Sequence, residues 1–263
     1  MNPNGSMVFQ FLAAASATRR GFLRDRTLIA AVGLVAAALG IGAGLAAVTL
    51  EGAPRLAADL GWTAAGLFGW LLALGHGAGW MDRGGILCPP LLARPVPFGL
   101  LLVARFVGLA SGLALYGVVV TVLLGVWASW EGGASTAGVM AAGWLLVLRL
   151  VVLLALALTL SVLVRPVAAP LAAAAGLAGW LVDILPPASA PGAVSPLVRF
   201  ATGLLPNMRL LAPTPEGLPQ TMAEAFPGLL VSTAYALLYG GALLVVGFAV
   251  GPVLWRRSGG TRR

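Results

Sequence analysis

Lysine is absent from this 263-residue chain, cysteine and histidine occur once each, as Cys88 and His76, and only eight residues are acidic. Each shortage excludes something. Without lysine there is no GxxxxGK[ST] phosphate loop, so ATP-hydrolysing machinery of that type is not expected in this chain. One cysteine permits neither an internal disulfide nor a thiolate zinc cluster, and one histidine supplies neither a metal site nor a catalytic dyad by itself. The acids are Asp25, Glu51, Asp59, Asp82, Glu131, Asp183, Glu216 and Glu224. Most fall in loops or near the ends of apolar runs, which disfavours an intramembrane enzyme, since that would need clustered acids or histidines at membrane depth.

What the chain has in quantity is apolar surface. Hydrophobic residues make up 60% of it and charged residues 9%, with a mean hydropathy of +0.99. Soluble domains carry about 25% charge, so a water-soluble fold has no way to hide this composition. Long apolar runs predict six transmembrane helices near 27–50, 62–80, 98–127, 138–164, 166–185 and 227–254, each near the roughly 20 residues that cross a bilayer core. The fold class expected is therefore an all-α membrane protein with a single transmembrane domain over 1–263. Six of the eight tryptophans, Trp62, Trp80, Trp127, Trp130, Trp180 and Trp255, stand at or near span ends, where indole rings favour the headgroup region.

All sixteen basic residues are arginine and give a net charge of +8. They lie scattered between apolar runs, a pattern of membrane topology, and no nucleic-acid partner is expected. Arg19, Arg20, Arg24, Arg26, Arg83, Arg94, Arg165, Arg256, Arg257, Arg262 and Arg263 fall on one side of the six spans, and Arg55, Arg199 and Arg209 on the other. The positive-inside rule then puts both termini of a multi-pass protein in the cytoplasm. Residues 1–26 read as an interfacial amphipathic helix leading into the first span; a signal peptide is disfavoured because the basic residues follow the apolar stretch. The Pro-rich connection 186–226 lies on the outer side, with short helices near 196–211 resting on the surface or dipping into the bilayer where protein shields the backbone.

Few polar residues sit at membrane depth. Arg149 lies near the middle of the fourth span, where an arginine costs about 3 kcal/mol on insertion scales. It reads either as a lining residue for an anionic or polar substrate or as a structural group bonded to backbone carbonyls or to Asp183. A single charge without a chain of polar neighbours favours the structural reading. Arg105, about two turns into the third span, is shallow enough to snorkel, and His76 reads as a packed or interfacial side chain. The sequence Gly133-Ala134-Ser135-Thr136-Ala137 nearly matches a G-x-S-x-G nucleophile elbow and fails at Ala137. The GxxxG pairs, Gly108/Gly112 among them, number no more than the roughly five that chance gives at this glycine content, so they identify no particular contact.

The loop between the second and third spans is the most informative: Asp82 and Arg83 precede Gly84-Gly85, then come Cys88-Pro89-Pro90 and Leu91-Leu92-Ala93-Arg94-Pro95-Val96. With the following Ala104-Arg105-Phe106-Val107-Gly108, the Leu160 to Pro166 turn and Leu205-Pro206-Asn207 on the outer side, this pattern resembles the permease subunits of type-2 ABC exporters. Where that family more often has Glu followed by a Gly-Thr pair, this chain has Asp82, Arg83 and a Gly pair. The resemblance covers most of the chain. It implies a half-transporter that works by alternating access as a homo- or heterodimer, with ATP and Mg bound by a separate ATP-binding subunit and no cofactor in this chain. It further implies that the N-terminal helix and the loop carrying Asp82, Arg83, Arg94 and Pro95 couple to that subunit. The other reading is a membrane anchor or assembly factor without transport activity.

Overall fold

Seven α-helices form the regular structure of the computed structural model among its described residues, which are 3–48, 53–78, 97–131, 135–164, 167–181, 205–211 and 221–259. They are α1 (Pro3–Arg24), α2 (Arg26–Val48), α3 (Ala53–Ala78), α4 (Phe98–Glu131), α5 (Thr136–Leu163), α6 (Ala168–Leu181) and α7 (Met222–Gly259), with a 3₁₀ turn at Arg209–Leu211. No strand occurs among these residues. Five helices, α2, α3, α4, α5 and α7, are long and apolar enough to cross a membrane, as in a multi-pass membrane protein.

Local chemistry sets where several helices begin. Asp25 caps α2, its Oδ1 accepting from the Thr27 N–H at 3.0 Å. Ser135 caps α5 from extended backbone and accepts from the Gly138 N–H at 3.0 Å, so the residue resembling a nucleophile is a helix cap. Thr221 and Glu224 form a reciprocal capping box at the head of α7, each accepting from the other's N–H at 3.4 Å. That box starts α7 ahead of Pro227, the expected beginning of the last span, and the helix runs on through Pro252. In the same way α3 begins nine residues before Trp62. Arg55 and Asp59 end the apolar run in that stretch but do not end the helix.

A span was expected over 166–185, and within it the described helix α6 covers Ala168–Leu181, 14 residues, or about 21 Å at 1.5 Å per residue. Residues 182–185 lie outside the described set.

Helix α5 is the centre of the bundle, with 72% of its apolar stretch buried against 22% for α2 and 17% for α7. It packs on α3, α4, α6 and α7, while α2 leans on α3 at one edge and α7 on α5 at the other. In a bilayer, close van der Waals contact and hydrogen bonds hold such helices together, because lipid is as apolar as leucine. Both are present. The buried Tyr116 of α4 donates to the Ala65 carbonyl of α3 at 2.9 Å, Thr159 of α5 donates to the Leu243 carbonyl of α7 at 3.0 Å, and Trp144 of α5 donates through Nε1 to Thr233 Oγ1 of α7 at 2.9 Å. Around this core the outer faces expose large apolar side chains, among them Ile29, Ile41, Val122, Leu237, Leu238 and Val245.

Candidate functional site

Three arrangements stand out from the packing, beginning with the elbow between α1 and α2. The helix breaks at Asp25, whose N–H bonds to the Phe22 carbonyl at 3.2 Å. Two groups hold the break. Asp25 Oδ2 lies 3.5 Å from Nε2 of His76 at the end of α3, within ion-pair reach when the imidazole is protonated. Phe22, only 2% exposed, meets the same imidazole edge-on at 4.8 Å between centroids. His76 is therefore a packed side chain, and its partners are the elbow residues. Before the elbow, α1 lies against α4 at two glycines. A Cβ at Gly108 would fall 2.6 Å from the Ala15 carbonyl and 2.8 Å from Thr18 Cβ, and one at Gly112 would collide with the Phe22 ring. The Gly108/Gly112 pair, which glycine content alone explains, is the notch that seats α1. Arg19, Arg20, Arg24 and Arg26 are all exposed around the turn.

Arg149 anchors the second arrangement. It sits about 20 Å from either end of α5 by helical rise. Its guanidinium stacks over the Trp180 ring of α6 at 5.4 Å to the centroid, a cation–π contact that strengthens where water is scarce. Gly66 of α3 leaves the space beside it, a Cβ there lying 3.6 Å from the nearer guanidinium nitrogen. Among the described residues no carboxylate pairs with Arg149, and Asp183, one of the partners considered for it, lies outside them. Trp180, expected near a span end, stands level with the middle of α5 because α6 packs back along it.

The third arrangement is the segment 205–211, which enters the bundle between α6 and α7. The Pro206 carbonyl rests where a Cβ of Gly179 would be, and Met208 and Leu211 are at most 1% exposed. Irregular backbone buried like this needs partners. The Asn207 N–H donates to Tyr235 Oη at 2.6 Å, Ser232 Oγ donates to the Leu210 carbonyl at 2.8 Å, and the Leu210 N–H donates to Asn207 Oδ1 at 3.2 Å. Ser232 lies about 15 Å along α7 from its first residue. Of the region 196–211, where short helices were expected on the surface or dipping into the bilayer, the described part packs against α6 and α7.

Other expected site residues are placed less fully. Arg105 is partly buried about two turns into α4. Asp82, Arg83, Arg94 and Pro95 lie outside the described residues, as does the Leu91 to Val96 run that carries the family resemblance. The sequence reading passed over Asp25, Trp70, Trp180 and Tyr235 as site residues. Asp25 did carry a signal, an acid one residue before a long apolar helix, which is where an N-cap belongs. The tryptophans and Tyr235 carried none, since their partners come from other helices.

No protein-family model matches the chain, and no curated protein matches it in sequence.

Proposed function

We propose that this chain is the permease subunit of a type-2 ABC exporter: six spans with both termini in the cytoplasm of a bacterial inner membrane, working by alternating access. It carries no P-loop, so a separate ATP-binding subunit supplies the energy, and a second permease copy completes the path. The observation that carries the reading is the elbow. A helix precedes the first long apolar helix, is seated in the Gly108/Gly112 notch of α4 and is tied at Asp25 to the end of α3 by His76. The residues that follow α3 are the ones that lead into the loop with the family's pattern.

Exposure along α1 suits an interfacial helix in such a subunit. Met7, Val8, Phe9 and Leu12 present apolar side chains outward, and the exposed Arg19 and Arg20 follow them. Motion of a docked ATPase would reach α1 and the Asp82 to Pro95 loop together, and the elbow joins both to the bundle through α2 and α3.

The test is purification of the tagged chain from membranes in mild detergent, with mass spectrometry of whatever stays bound. Recovery of an ATP-binding subunit, with ATPase activity that needs both chains, is the expected result. Recovery of folded protein with no ATPase would leave the anchor or assembly reading in its place.

A further inference from the structure

Two consecutive layers of side chains close the seam between α3, α5 and α6, and each sets a tryptophan against a glycine. The first holds Gly66 of α3, Arg149 of α5 and Trp180 of α6. One turn along each helix, the second holds Trp70 of α3, Leu153 of α5 and Gly176 of α6, where a Cβ on Gly176 would lie 3.0 Å from Leu153, 3.1 Å from the Trp70 ring and 3.4 Å from its Nε1. The seam therefore carries two kinds of hydrogen-bond donor one helical turn apart and, among the described residues, no acceptor for either. The Trp70 Nε1 is buried and has no hydrogen-bond partner there, and no described carboxylate pairs with Arg149. A cation at mid-bundle depth and a buried donor each cost free energy when left unanswered. An anionic oxygen would answer both.

We infer that this seam binds the anionic head of an amphiphile, a carboxylate or phosphate ester attached to an apolar body. The head takes the Arg149 guanidinium, with the Trp70 indole N–H as a second donor. An arginine at this depth favours a planar, two-pronged contact with carboxylate or phosphate oxygens. The apolar body follows from the surroundings: Trp180 is 39% exposed, and the neighbouring Leu67 and Leu71 of α3 and Leu177 of α6 are about half exposed. A free inorganic anion would find no use for these, whereas an acyl chain or similar body reaches the site through lipid. The inference does not depend on an ATPase partner, because binding is read on this chain alone.

The experiment is native mass spectrometry of the full chain, delipidated in detergent and exposed in turn to oleate, dioleoylphosphatidylglycerol, dioleoylphosphatidylcholine and inorganic phosphate. Oleate and phosphatidylglycerol separate a carboxylate head from a phosphate head. A 1:1 adduct with one or both is expected. Its occupancy should fall about tenfold in Arg149→Gln and about threefold in Trp70→Phe, as loss of a charge-assisted and of a neutral hydrogen bond would give. Arg149→Lys should keep part of it, and Asp183→Asn should leave it unchanged. Trp70→Phe removes the N–H donor with part of the ring and leaves Arg149 in place, and it carries the test if Arg149→Gln does not fold. Adducts undiminished in both variants, equal adducts with phosphatidylcholine, or full displacement by inorganic phosphate would overturn the inference. So would a marked rise in occupancy in Asp183→Asn, which would mean that Arg149 is already paired within the chain.

Discussion

Asp25 and His76 meet 3.5 Å apart across the elbow, and the same carboxylate caps the helix that follows, through the Thr27 N–H at 3.0 Å. The two roles separate by substitution. Asp25→Asn keeps a capping oxygen and loses the charge, while Asp25→Ala loses both, and a lost cap costs about 1 kcal/mol. Both side chains of the pair keep some solvent exposure, so the contact with His76 adds less than the cap. The melting temperature in detergent is expected to fall in the order wild type, Asp25→Asn, Asp25→Ala. A drop for Asp25→Asn as large as for Asp25→Ala would show the His76 contact to outweigh the cap.

The notch that seats α1 makes a sharper contrast. Gly112 faces the Phe22 ring with no room for a Cβ, whereas Gly33 and Gly44 of α2 have nothing within 4 Å of theirs. Gly112→Leu should expel Phe22 and loosen α1, raising the rate of trypsin cleavage at the exposed Arg19, Arg20 and Arg24 by several-fold. Gly33→Leu and Gly44→Leu should leave the rate unchanged. Equal cleavage in Gly112→Leu and wild type would mean that α1 is not held at this notch.

The contrast between Gly112 and Gly44 also shows what the sequence could and could not tell. Both belong to GxxxG pairs, yet only one is a contact, because spacing records that a helix has a small-residue stripe and not which neighbour lies on it. Apolar runs are different. Those behind α2, α4 and α7 lie within single helices, so those spans were readable, whereas the burial of α5 depends on its neighbours and was not. The start of α3 was read late because Arg55 and Asp59 lie in its first turns, since hydropathy measures the bilayer and not the helix. Arg149 was singled out by its cost, but its partner was not: Trp180 lies thirty-one positions on, and only the packing of α6 back along α5 brings it to the same level.

At the inserted segment, two hydrogen bonds from α7 carry the irregular backbone. Tyr235→Phe would leave the Asn207 N–H without its acceptor, and Ser232→Ala would leave the Leu210 carbonyl without its donor. An orphaned buried polar group costs about 1–3 kcal/mol. Each substitution is expected to lower the melting temperature, and the double variant by less than the sum, because loosening one end of so short a segment already frees the other. Full additivity would show the two ends to be held independently. Thr233→Ala makes a useful comparison: its partner Trp144 is exposed, so the freed indole N–H is not sealed inside protein and the cost should be smaller.

The proposed docking surface has its own test, which should not disturb the bundle. Asp82 and Arg94 flank the loop with the exporter-permease pattern, and in the proposed function that loop meets the ATP-binding subunit. The combination of Asp82→Asn with Arg94→Glu reverses the charge at position 94 and removes the loop's net positive charge, in a contact that depends on charge. Co-purification of the ATPase should drop several-fold at low salt and the difference from wild type should narrow as salt rises, while membrane insertion and the melting temperature stay at wild-type values. The Arg149→Gln variant supplies the reciprocal control, since a residue in the middle of α5 is expected to leave ATPase recovery intact. If the loop variant retains the ATPase in full and Arg149→Gln loses it, coupling does not run through this loop, and the elbow with its exposed Arg19, Arg20, Arg24 and Arg26 becomes the surface to alter next.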